Sequence, residues 1–262
     1  LIGKGRNIGQ IVLNDTRIKG VVFTGSCETA KKIQNDLVKR EGEIIPFMAE
    51  TGGLNFMIID SSALTEQVVD DAIESGFNAA GQRCSALRIL AIQDEVYDNT
   101  LKMLIGATKK IKIGLPNLLS TDIGPVIDQE AKDRINNHVK SFKSKVLSQS
   151  PLESKYQGYY VTPTIIEIEN LNEVKEEIFG PVIHVYKYKS NEIEKLISDI
   201  NKMNYGLTLG IQSRIENTIN YIFNNASVGN IYINRNIVGA VVGVQPFGGR
   251  GLSGTGPKAG GP

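Results

Sequence analysis

The sequence predicts an α/β fold built on a largely parallel sheet. Two observations carry that prediction. Short apolar runs of strand character alternate along the chain with amphipathic helical stretches, the pattern of strand–helix–strand layering. Several of those runs end in glycine-containing turns, Thr24-Gly25-Ser26 and Glu50-Thr51-Gly52-Gly53 among them. With 262 residues, 41% hydrophobic and 22% charged, the chain can build a substantial core and is neither disordered nor collagen-like.

Taken in order, Gly20 to Phe23 reads as the first strand, and a helix follows with Ala30, Ile33 and Leu37 on one face. Ile44 to Ala49 is a short apolar strand interrupted by Pro46, and Asn55 to Ile59 is a buried one. Ser61-Ser62 offers a helix start for a stripe of Leu64, Val68, Val69, Ala72, Ile73 and Phe77. Leu87 to Ile92 is the next strand. From about Gln129 a helical stripe runs through Ala131, Ile135, Val139, Phe142 and Val146. Strands are predicted at Tyr159–Ile168 and Val182–Tyr188, a helix at Ile193–Met203 and a late strand at Val228–Ile233. Gln149 to Gln157 is polar and reads as a surface loop. The glycine-rich stretch from Gly248 to Pro262 is, on composition, too flexible for a core element.

Charge and composition exclude several functions. Lys and Arg total 29 against 28 Asp and Glu, a net of +1, so nothing drives binding to nucleic acid or an anionic membrane. The longest apolar stretch, Ile237 to Val244, is far short of the roughly 20 residues a spanning helix needs. Two cysteines make no disulfide framework, and with no secretory signal the expected compartment is the reducing cytoplasm. Glycine is abundant, at 27 residues, and the chain begins at Leu1 and ends in Gly-Gly-Pro, so both ends are expected to be cut.

The candidate chemistry is concentrated in a few short segments. Cys84, in Gly81-Gln82-Arg83-Cys84-Ser85, sits between a predicted helix and a predicted strand, where a neighbouring cation could favour its nucleophilic thiolate. The competing reading is a small buried hydrophobe. Glu50 closes an apolar strand before two glycines and could act as a base, or be an ordinary surface carboxylate at a loop start. Thr24-Gly25-Ser26 could offer free helix amides to a pyrophosphate, or simply cap a helix. Gly3 to Gly9 spaces its glycines one residue off the dinucleotide fingerprint, and Gly251 to Lys258 lacks the Gly-Lys-Ser/Thr ending of a phosphate loop. Cys27 reads as structural. His138 and His184 are isolated and lack ligand spacing, so no metal site is expected.

Together these segments resemble the aldehyde dehydrogenase superfamily. Phe23-Thr24-Gly25-Ser26 is similar to its cofactor strand–turn, Glu50-Thr51-Gly52-Gly53 to its general-base motif, and Gly81-Gln82-Arg83-Cys84 to its nucleophile motif. The family's further segments are matched by Glu176-Glu177-Ile178-Phe179-Gly180-Pro181, Asn204-Tyr205-Gly206-Leu207 and Pro246-Phe247-Gly248-Gly249. The stretches around Glu50, Cys84 and Val241–Gly249 look like the Δ1-pyrroline-5-carboxylate (glutamate-γ-semialdehyde) dehydrogenases. The tail Gly251 to Pro262 looks like the version in the bifunctional proline utilisation A proteins.

The resemblance implies NAD-dependent oxidation of L-glutamate γ-semialdehyde to glutamate in proline catabolism. Cys84 would be the nucleophile and Glu50 the base that activates the hydrolytic water. Gly25, Ser26, Gly52, Glu177 and Phe179 would contact NAD. Ser85, Gly239, Ala240 and Phe247 would bind the substrate. It also implies a remnant of a Rossmann-type NAD-binding domain at 1–53, an α/β catalytic domain at 54–247 and a glycine-rich segment at 248–262. The parts of the family unit before residue 3, including the oxyanion-hole Asn, are expected to be missing and the segment alone to be poorly active. A homo-oligomeric parent, fusion to a proline dehydrogenase domain and peripheral association with the inner membrane stay open, as do another aldehyde substrate and an inactive structural relative.

Overall fold

The computed structural model describes residues 2–3, 5–152, 157–241, 243–256 and 258. Helix α1 (Gly5–Asn14) contains the Gly5 and Gly9 of the near-fingerprint, which is therefore helix and not a phosphate loop. Strand β1 (Val21–Thr24), helix α2 (Cys27–Lys39) and strand β2 (Phe47–Glu50) follow. β1 and β2 form a parallel pair with Thr24 opposite Glu50. Pro46 delays β2 to Phe47, but its carbonyl still accepts from the Val21 amide at 2.9 Å. Ser26 caps α2, its Oγ accepting from the Thr29 amide at 3.2 Å.

The second unit contains a seven-stranded sheet, its helices and one short strand that lies outside that sheet. Its elements are β3 (Asn55–Ile59), α3 (Thr65–Phe77), β4 (Leu87–Gln93), α4 (Asp94–Thr108), α5 (Gln129–Ser141), β5 (Val146–Gln149), β6 (Thr164–Ile168), β7 (Val182–Tyr188), α6 (Ile193–Lys202), β8 (Tyr205–Gly206), β9 (Thr208–Gln212), α7 (Glu216–Asn225) and β10 (Asn230–Ile233). The order across the sheet is β10-β9-β3-β4-β7-β6-β5, parallel throughout except for the β5–β6 edge. Every residue of β3, β4 and β9 is buried, as expected of central parallel strands covered on both faces. The core runs from Phe56 and Ile58 through Ile89 and Ile92 to Ile165, Ile183 and Leu209.

A short antiparallel pair, β8 with β11 (Arg250–Gly251), ties the C-terminal segment to the rest. From there the chain crosses to β2. The Thr51 amide donates to the Ser253 carbonyl at 3.0 Å, and the Ala49 amide to Thr255 Oγ1 at 2.8 Å. Gly248, Gly249 and Ser253 are buried, so this stretch is a packed strap and not the flexible tail its glycines suggest. The reason is steric: a Cβ on Gly249 would lie 2.5 Å from the Ser253 carbonyl oxygen, so the turn closes only without one. Residues 257 and 259–262 lie outside the described residues.

Other expectations shift by local chemistry. Helix α3 starts at Thr65, because Ser62 is bound to Asp60 Oδ1 through its amide (2.8 Å) and its hydroxyl (2.6 Å) and forms a turn instead. Helix α5 ends at Ser141, and Val146 opens an edge strand that extends to Gln149. The predicted strand at Tyr159 begins only at Thr164. Of the predicted loop at 149–157, residues 153–156 lie outside the described residues.

Candidate active site

The segment before Cys84 has an uncommon backbone. Ala79, Ala80 and Gly81 adopt φ of 54°, 55° and 66°, three left-handed residues in succession. Two of them are alanines, each at a cost of about 1–2 kcal/mol in that region. Gly81 has no alternative, since a Cβ there would overlap the Gly180 carbonyl. Irregular loops must find partners for their backbone carbonyls, and buried side chains supply most of them here. Arg88 Nη1 donates to the Gly81 carbonyl at 2.9 Å, and Nη2 to the Arg83 carbonyl at 3.1 Å. Asn55 Nδ2 donates to the Cys84 carbonyl at 2.7 Å and the Ala86 carbonyl at 2.8 Å. Asn55 Oδ1 accepts from the Thr208 amide at 3.1 Å, which ties the loop to β9.

Cys84 itself is half-buried. Its thiol is pushed above the ordinary value by burial and then by the charges of Glu177 and, more weakly, Glu50, while the amides of Ser85 and Cys84 pull it down. Arg83, the adjacent cation in sequence, is exposed. The cation that interacts with Cys84 is Arg88 instead.

Glu50 is not a surface carboxylate. It is 9% exposed, and its Oε2 accepts from the Gly249 amide at 2.9 Å. Its carbonyl accepts from the Gly25 amide at 3.1 Å, so the turn at the head of α2 and the carboxylate share one end of the β1–β2 pair. Gly25 and Ser26 are exposed at the start of this 13-residue helix. Gly52 is required for steric reasons, because a Cβ there would coincide with the Glu177 carboxylate.

Glu177 is bound to Arg88, Nη2 to Oε1 at 3.0 Å, with exposures of 16% and 1%. Burial raises the Glu177 carboxyl, while Arg88 and the Gly53 amide oppose that rise. Phe179, at the surface, lies with its ring centroid 5.5 Å from the Arg88 guanidinium carbon. On the other side, the Gly239 amide donates to Ser85 Oγ at 3.0 Å, with Gly239 at φ 72°. Tyr232 holds the Gly239 carbonyl at 3.0 Å, and Gln245 donates to the Tyr232 hydroxyl at 3.1 Å. Ala240 follows directly, and Phe247 is half-buried in the same segment.

The two histidines are a pair. His138 Nε2 and His184 Nε2 are 2.9 Å apart, and His184 Nδ1 bonds the Arg88 carbonyl at 3.0 Å. Because a carbonyl only accepts, His184 carries its proton on Nδ1 and accepts from His138. Burial holds His184 down to about 3. No group of three or more His, Cys, Asp or Glu side chains gathers as a metal cluster among the described residues.

The residues around Gly25 and Gly52 suit a dinucleotide. An exposed helix head offers amides to phosphate, and a carboxylate beside a Cβ-free backbone offers acceptors to ribose hydroxyls. Over its full length, residues 1–262, the sequence matches the aldehyde dehydrogenase family. The chain belongs to that family.

Among aldehyde dehydrogenase relatives, it is 53% identical to the bifunctional protein PutA of Escherichia coli K12, covering 100% of this chain and 21% of that protein. It therefore spans about a fifth of that relative's length. The fold superposes on a crystal structure of a mutant Bradyrhizobium japonicum proline utilization A with a TM-score of 0.95 at 48% identity, over 99% of this chain and 26% of that one. It also matches a Thermus 1-pyrroline-5-carboxylate dehydrogenase with bound NAD, TM-score 0.89 at 31% identity, over 97% of this chain and 50% of that one.

The sequence reading placed Arg88 and Asn55 in the segments of resemblance but gave neither a role at the site. Their signal was a cation and an amide inside otherwise apolar strand runs, positions where a polar group needs buried partners.

Proposed function

We propose that the protein oxidises L-glutamate γ-semialdehyde, the open form of Δ1-pyrroline-5-carboxylate, to L-glutamate with NAD, in proline catabolism. The observation that carries this reading is that the Cys84 loop and the end of β2 carrying the buried Glu50 converge on one carboxylate: Glu177 accepts from Arg88, which holds the Cys84 loop, and lies directly against Gly52. The named relatives supply the substrate class.

Cys84, as thiolate, adds to the aldehyde carbon, and the carbonyl π electrons move to oxygen, giving a thiohemiacetal. The chemistry a bound NAD supplies is a two-electron acceptor for hydride. With that hydrogen gone, the carbon on Sγ is a thioester. Glu50 takes a proton from water, whose oxygen attacks the thioester; the C–S bond breaks and Cys84 leaves as thiolate. Gly25 and Ser26 face the pyrophosphate, while Gly52, Glu177 and Phe179 face the nicotinamide side. Ser85 and the amides of Gly239 and Ala240 receive the substrate carboxylate, and Phe247 packs on its aliphatic part. Small residues suit that anchor, because an anion can reach their backbone amides. The same reading extends to a cytoplasmic, homo-oligomeric parent fused to a proline dehydrogenase domain.

The anchor gives the test. In NADH-production assays, Ser85→Ala should raise the Michaelis constant for glutamate semialdehyde by about tenfold, the worth of one hydrogen bond to a charge. The constant for an uncharged aldehyde such as propanal should stay unchanged. Equal changes for both substrates would remove the acidic-substrate assignment.

A further inference from the structure

We propose that Arg88 is a positioning residue of this site: a buried cation that locks the nucleophile loop to the Glu177 loop and sets the reactivity of Cys84. The inference rests on the reading of Cys84 as nucleophile. Its ground is where the guanidinium spends its hydrogen bonds. Arg88 sits on β4 between Leu87 and Ile89, both fully buried, and is itself 1% exposed. Its side chain makes no bond to the sheet. Two bonds go to the nucleophile loop, at the Gly81 and Arg83 carbonyls, and two to the facing loop, at the Gly180 carbonyl (3.0 Å) and the Glu177 carboxylate. A planar fork of donors can hold four acceptors in fixed directions, and an ammonium on a flexible stem cannot.

A purely structural role fits these facts less well. Burying a guanidinium costs several kcal/mol, and a well-packed apolar residue of similar volume is often as stable or more so. A cation kept here, with all its acceptors on the two loops that carry Cys84 and Glu177, is placed for the chemistry. The charges that face Cys84 come from three elements: Glu50 on β2 and Glu177 on the 177–180 loop disfavour the thiolate, and Arg88 on β4 favours it. The Tyr232 phenol on β10 also faces it but is uncharged, because burial holds its proton on. The neutral pair His138–His184 braces the Arg88 backbone from behind, through the carbonyl that His184 Nδ1 binds.

The test measures thiol reactivity apart from turnover. In a Cys27→Ser background, the rate of Cys84 alkylation by iodoacetamide is followed against pH, with circular dichroism reporting the fold. Arg88→Gln removes the charge, so its profile should move to higher pH, slowing alkylation at pH 8 about tenfold per unit moved. Arg88→Lys should restore most of the profile while turnover stays depressed, because charge returns without the four-point fork. Glu177→Gln should move the profile to lower pH, and it carries the test if Arg88→Gln does not fold. A folded Arg88→Gln with the wild-type profile, or a Glu177→Gln profile that does not move, would overturn the proposal. Wild-type protein that is alkylated normally but oxidises no aldehyde would sink the function reading alone, leaving the role of Arg88 measurable.

Discussion

The β1–β2 pair and the seven-stranded sheet are packed to different depths. Along β1 the residues alternate between half-buried and exposed, and Val22 is 68% exposed, whereas all seven residues of β4 are buried. Further apolar side chains on the small unit, Ile11, Val38 and Ile44, also face outward. The site divides along the same line. The small unit supplies Glu50, Gly25, Ser26 and Gly52, and the large sheet anchors Cys84, Ser85, Arg88 and the Glu177 loop. The Cys84 loop is held by core side chains, whereas Glu50 is held by a strap of residues 249–255.

Three measurements would break or sharpen that contrast. The largest effect is expected at the seam. Glu50→Gln should lower kcat by about 10²–10⁴-fold. It should also leave Cys84 easier to alkylate, since removing a negative charge lowers the pH at which the thiolate forms. Harder alkylation would mean that Glu50 helps to generate the thiolate, contrary to its assignment. Next comes stability, read by urea unfolding. Ile92→Ala, at a site with 0% exposure, should cost about 2–5 kcal/mol. Val22→Ala should stay within about 0.5 kcal/mol, and similar losses would show the small unit to be packed as deeply as the large. The smallest effect concerns His184. In the folded protein it protonates only near pH 3, against 6.5 when unfolded, so the unfolded state binds the extra proton between those values. The stability it contributes is complete above pH 6.5 and is lost as pH falls toward 3. From pH 7 to 5 the wild type should lose roughly 2 kcal/mol, with a slope of up to one proton. His184→Gln, which can still donate to the Arg88 carbonyl, should flatten that slope.

What the sequence revealed follows from the range of the forces involved. The strands Asn55–Ile59 and Val182–Tyr188 were legible to the residue because their predominantly apolar, largely buried runs are written locally, only Tyr186 and Lys187 being less than buried. The motif segments around Glu50 and Cys84 were legible as family resemblance. Helix α4 was hidden because Thr100 and Thr108 interrupt its buried face, which Tyr97 and Leu104 continue. α7 buries little beyond Ile222, so its periodicity is faint. The histidine pair was hidden because its members are 46 positions apart and only the packing of α5 on β7 joins them. The role of Arg88 was equally invisible, since the Gly180 carbonyl and Glu177 lie 92 and 89 positions away.

The strap that closes over β2 also orders events in time. Ala49, Glu50 and Thr51 take their partners from Thr255, Gly249 and Leu252, separations of 206, 199 and 201 positions. Contacts so far apart in sequence form slowly, because the chain must give up much of its freedom before they are made. The carbonyls of Gly81, Arg83 and Cys84 are held by Asn55 and Arg88, no more than 29 positions away, and can be organised earlier, while Ser85 also takes bonds from Thr208 and Gly239. During synthesis the carbonyls of the Cys84 loop would therefore find their partners while the Glu50 carboxylate still waits for the strap residues that hold it.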